Sequence, residues 1–101
     1  MKINIGNETI ASVDFSSNET AWRIEDAFGV LKYLKDQNKV VLGGDILTKE
    51  LVHNYDSWYY NINPSLNYRF NVENGYKSAI EYISNYIRVN GNVFYVIFVT
   101  N

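Results

Sequence analysis

The sequence predicts a small α/β (α+β) two-layer sandwich, with two main helices on one face of a small mixed or antiparallel sheet. Three observations carry that expectation. Two segments space their apolar residues at helical intervals, three short runs are rich in β-branched and aromatic residues, and their order is α, β, β, α, β after an N-terminal arm. A chain of 101 residues buries only about two thirds of its unfolded surface, so residues 1–101 are expected to form one domain around one core.

The first helix is predicted between Trp22 and Asn38, where Ile24, Ala27, Phe28, Leu31 and Leu34 fall three and four apart and share one face. Glu25 and Asp26 open it and Lys32 and Lys35 stand toward its end, the order the helix dipole favours. Gly29 inside it costs about 1 kcal/mol relative to Ala. Either it admits a close neighbour or it is simply tolerated.

A buried strand follows from Lys39 to Leu47, interrupted by Gly43 and Gly44. Glycines inside a strand indicate a bulge or a close backbone approach, and Asp45 is expected to bond to nearby backbone. Beyond a polar connection through Lys49, Glu50, His53 and Asn54, the run Ser57 to Ile62 reads as an aromatic strand that pairs with the first as an antiparallel hairpin with a long loop.

Asn63-Pro64 breaks that strand, Ser65 to Phe70 reads as a loop, and Asn71 is placed as the N-cap of the second helix. Tyr76, Ala79, Ile80, Ile83, Tyr86 and Ile87 form its stripe, and Gly91 ends it. The last strand, Val93 to Val99, is apolar on both alternating faces and is placed centrally. A right-handed crossover would set it parallel to the Trp58 strand with both helices on one side. In the N-terminal arm, Thr9 to Phe15 is expected to add a short strand or a turn of helix.

Composition narrows the function. Cysteine is absent, which excludes disulfides, thiolate zinc sites and thiol nucleophiles. No apolar leader follows Met1 and no run approaches the about 18 apolar residues of a membrane span, so the expected location is the cytoplasm, where the sequons at Asn7 and Asn18 carry no sugar. A net charge of −2 with dispersed Lys and Arg gives no footprint for nucleic acid. A mildly acidic surface suits a basic partner.

Few residues offer chemistry. His53 is the single histidine, and with Asp45 and Asp56 it defines one enzyme reading, a divalent cation used for hydrolysis. A solvated loop histidine is the plainer reading. Gly43-Gly44-Asp45 lacks the Lys-Ser/Thr of a phosphate loop, and Ile46 and Leu47 replace the residues that would complete a nucleotide-cyclase Gly-Gly-Asp motif. Ser57, Ser65 and Ser78 have only His53 as an available base. No cofactor is implied. A third reading is an adaptor or homo-oligomer in which the final strand, at an uncovered edge, pairs with a second copy.

The aromatic residues say more. Tyr55, Trp58, Tyr59, Tyr60, Tyr68 and Phe70 are concentrated in one stretch, and helices on one side of a strand cover only one of its two faces. The others are candidates for an exposed binding patch, because Tyr and Trp bury much area at low rotamer cost.

Three stretches together resemble the immunity protein 40 family of bacterial polymorphic toxin systems. They are Ala21-Trp22, Val41-Leu42-Gly43-Gly44-Asp45-Ile46 and Asn54-Tyr55-Asp56-Ser57-Trp58-Tyr59, supported by Ser78-Ala79 and Glu81-Tyr82-Ile83. Ile46 and Ser57 depart from the Val and Asn of that pattern. The resemblance implies a cytoplasmic protein that binds and neutralises a cognate toxin by steric occlusion, with no catalytic residues. Its expected contact residues are Asp45, Glu50, Tyr55, Asp56, Trp58, Tyr60 and Tyr68, with Trp22, Gly43 and Gly44 as structural residues.

Overall fold

The structure, a computed structural model, describes residues 1–14 and 19–101. Phe15 and Asn18 lie outside the described residues. The N-terminal arm is more regular than its sequence announces. Strands β1 (Lys2–Ile5) and β2 (Glu8–Ala11) form an antiparallel hairpin turning at Gly6, and the short β3 (Val13–Asp14) pairs with β4 (Thr20–Arg23). Ile3 and Ile10 face each other across the hairpin and are buried. Their hairpin lies against the first helix at Gly29, where an added Cβ would stand 2.7 Å from Ile10 Cδ1. The close-neighbour reading of that glycine is therefore the correct one.

Trp22 is a strand residue, which corrects the expected helix start. It pairs with Val96, and Ile24 N–H donates to Phe94 O at 3.0 Å, so sheet pairing claims the segment that helical spacing had assigned to the helix. A 3-10 turn (Ile24–Asp26) then leads into α1 (Ala27–Asp36). Its buried residues are Ala27, Val30 and Leu31, while Phe28 turns outward at 37% exposure.

Strands β5 (Val41–Leu47) and β6 (His53–Tyr59) form the expected hairpin, but β6 begins at His53 and the connection is short. Thr48 closes it: its backbone N–H donates to Val52 O at 2.8 Å, and its hydroxyl accepts from the Glu50 and Val52 N–H groups at 3.3 Å.

The second helix, α2 (Tyr68–Asn90), starts one turn earlier than expected, and the cap is Asn67, whose side chain accepts from Phe70 N–H at 2.9 Å. Asn71 lies inside the helix, 2% exposed. Its Oδ1 accepts from Tyr60 Oη at 2.7 Å and Asn63 N–H at 2.8 Å, while Nδ2 donates to Asn63 O at 3.0 Å. It ties the exposed connection after β6 to the helix. Gly91 ends α2 at a positive φ of 86°, which a glycine tolerates, as its position predicts.

The last strand, β7 (Tyr95–Thr100), lies inside the main sheet, whose order is β3-β4-β7-β5-β6. Every pairing is antiparallel, and β7 runs parallel to β6 with β5 between them. The interior place of β7 removes the edge on which pairing with a second copy through that strand would depend. The result is an α+β fold.

The register puts Trp22, Val96, Phe98, Gly44, Ile46 and Trp58 on one face, which α1 and α2 cover. The helices also pack on each other. At Gly75 the backbone of α2 approaches so closely that a Cβ would meet Val41 O at 2.7 Å. No described helix is long and apolar enough to cross a membrane.

Candidate partner-binding face

Strand β6 is an edge of the main sheet, and its side chains divide by face. Trp58 points into the core: it is 6% exposed, stacks on Tyr82 with centroids 4.8 Å apart and meets the edge of Phe98 at 6.0 Å. This corrects its expected role as a contact residue. The glycines explain its place. Gly44 is its cross-strand partner, and a Cβ at Gly44 would run into the indole and stand 2.5 Å from Ile97 O. Gly43, with φ of 146°, brings its backbone onto the Trp58 carbonyl. Both glycines serve the fold, by the close approach that their position in a strand implies.

Tyr59 points the other way and is 80% exposed. Beside it lies an open hollow of about 400 Å³ on the uncovered sheet face, lined by Gly43 and bordered by Tyr59, Ile62, Asp45 and Val99. Tyr59 belongs to the aromatic group expected to supply an exposed patch, although it is not among the expected contact residues. The signal was available, since strand alternation sends Tyr59 outward once Trp58 is taken into the core.

Tyr55 is the most exposed large side chain on β6, at 95%, and its backbone is left-handed with φ of 68°. Its neighbours are anchored. Asn54 Nδ2 donates to Tyr86 Oη at 2.8 Å, Tyr86 Oη donates to Asp56 Oδ2 at 2.7 Å, and Asp56 N–H donates to Asn54 Oδ1 at 3.1 Å. Burial first, and then the Asp56 hydrogen bond, push the Tyr86 hydroxyl up to about 12.

The remaining expected residues separate into two groups. Glu50 is exposed in the hairpin turn with Lys49 Nζ 4.0 Å away, and Asp45 is half-buried on the uncovered face opposite Ser57. Its carboxylate makes no hydrogen bond among the described residues, against the expected backbone bond. Tyr60 and Tyr68 are bracing groups. The Tyr60 hydroxyl is committed to Asn71, and Tyr68 Oη donates to Asn38 O at 2.8 Å and accepts from Asn101 Nδ2 at 2.9 Å.

Asp45, His53 and Asp56 do not assemble into a metal site. His53 Nε2 lies 3.8 Å from Glu19 Oε2, Asp56 is bound to Tyr86, and no group of three or more metal-binding side chains occurs among the described residues. The cation-dependent hydrolase reading is thereby corrected.

A family model described as immunity protein 40 matches residues 8–100. The chain belongs to the immunity protein 40 family. Curated proteins and solved structures give no significant match. The matched span takes in both core glycines, Trp58 and the exposed tyrosines of β6, so the family assignment covers the whole candidate face.

Proposed function

We propose that this immunity protein works in the cytoplasm by binding a cognate toxin domain and occluding it, without catalysis, through the outer side of β6. The observation that carries this reading is the pair Tyr55 and Tyr59, 95% and 80% exposed on a sheet edge whose other aromatic, Trp58, is buried. Each offers a large, rigid ring with few rotamers to lose, the kind of group that dominates interface energetics. The hollow at Gly43, bordered by Tyr59 and Ile62, receives a side chain of the toxin.

Asp45 shares the hollow with Tyr59, and Glu50 and Asp56 add carboxylates on the β5–β6 turn and on β6 itself. They favour a basic toxin surface and speed encounter, while the tyrosines slow dissociation. Because Trp58, Tyr60 and Tyr68 support the fold, substitutions there act on protection through stability.

The test is survival of cells that co-express this chain with its cognate toxin domain. The double variant Tyr55→Ala/Tyr59→Ala is expected to fold at wild-type yield and to lose protection. Full protection by the folded double variant would place the interface elsewhere.

A further inference from the structure

Strand β6 carries a surplus that its partner does not match. Asp45 stands opposite Ser57 and Leu47 opposite His53, so Asn54, Tyr55 and Asp56 together face the single residue Ile46. A bulge of this kind re-aims a side chain and interrupts pairing at an edge. Here it places Tyr55 in the left-handed region, which favours glycine and asparagine and is strained for an aromatic residue.

The ring gains nothing from its own chain for that strain, since it is 95% exposed. The strain is imposed from the helical layer. Tyr86 on α2 is 9% exposed and is fixed by Tyr82 at 6.0 Å between centroids and by the edge of Phe94 at 5.3 Å. From this rigid seat its hydroxyl accepts from Asn54 and donates to Asp56, the two residues that flank Tyr55. The Asn54 Oδ1 bond from Asp56 N–H closes the loop. One buried phenol thus determines the course of the backbone on both sides of an exposed one.

We infer that Tyr86 is a positioning residue for toxin binding: its hydroxyl clamps Asn54 and Asp56 so that Tyr55 is held out in its bound conformation, as an anchor for an apolar cleft on the toxin. This rests on the proposed function. Ordering the bulge during folding spares the complex that entropy when it forms, and preorganisation of this kind raises affinity without adding a contact. Strain retained at an exposed aromatic fits a recognition role, because the surrounding structure must over-determine it.

A double-mutant cycle tests the clamp, with affinities measured by calorimetry against the purified cognate toxin domain. Tyr55→Ala is expected to weaken binding by about 30-fold or more. Tyr86→Phe keeps the ring and removes the clamp, with an expected loss of about five- to tenfold that disappears in the Tyr55→Ala background. Asn54→Ala removes the clamp from the other side and is expected to reproduce both results.

Three outcomes would overturn the inference, and they are distinguishable. If Tyr55→Ala weakens binding while Tyr86→Phe and Asn54→Ala bind fully, the face stands and the clamp fails. If the clamp variants lose as much affinity in the Tyr55→Ala background as in the wild type, they do not act through Tyr55. If Tyr55→Ala itself binds fully, the proposed face fails and the clamp with it.

Discussion

Gly44 and Trp58 face each other across the β5–β6 pair, and the bare backbone of the first is the floor on which the indole of the second lies. The ring is closed in by Tyr82 and Phe98, and its Nε1–H is buried with no acceptor among the described residues, so packing alone holds it. A methyl group at Gly44 has no free space. Gly44→Ala is expected to cost about 3 kcal/mol, at the upper end of ordinary overpacking, measured by chemical denaturation. A variant as stable as the wild type would show that the indole has room to retreat.

Tyr55 and stability should trade against each other. Tyr55→Gly places the residue that tolerates φ of 68° at that position and is expected to raise stability by about 1 kcal/mol. The same change removes the anchor, so protection against the toxin should fall while the denaturation midpoint rises. A destabilised Tyr55→Gly would mean that the bulge is not strained.

Asn71 is the buried polar junction between the β6 exit and α2. Asn71→Leu leaves the Tyr60 hydroxyl and the Asn63 backbone without their partner and is expected to cost about 2–3 kcal/mol. The measurement is the shift of the urea midpoint. A shift too small to resolve would show that water replaces all three bonds.

The buried phenol of Tyr86 gives an alkaline signature. Its folded pKa, pushed up to about 12, exceeds the ordinary value of 10.0, so between these limits the unfolded chain loses the proton more readily than the folded one. The contribution to stability is complete below about pH 10 and is lost as pH rises toward about 12. Asp56 and Tyr82 are the titratable groups facing it. Tyr86→Phe is expected to flatten the fall of stability between those limits, measured by denaturation at a series of alkaline pH values. Parallel profiles would contradict it.

Much of this architecture is legible in the sequence. The apolar spacing of α2, the Gly91 stop and the doubly apolar β7 point to the helix-covered sheet with a central last strand. The misplaced boundaries share a physical cause, which is tertiary pairing overriding local pattern. Ile24 satisfies a helical period and Trp22 precedes it, but pairing with β7 claims both. Asn71 has the composition of a cap, yet the competing Asn67 takes that role and Asn71 turns inward.

The candidate face is less legible for a related reason. Which face of β6 is buried depends on the glycines of the neighbouring strand, since only Gly44 gives Trp58 space. The surplus residues around Tyr55 follow from register with β5, which no local pattern encodes. The hydroxyl that holds them comes from α2, far along the chain.

The outer side of β6 is the surface proposed to be covered by the toxin. Amide hydrogen exchange of the protein, free and saturated with the toxin domain, tests it most directly. Slowed exchange is expected to concentrate in residues 53–62, with the β1–β2 hairpin and α1 unchanged. Slowed exchange on the hairpin or α1, with residues 53–62 exchanging as in the free protein, would contradict it.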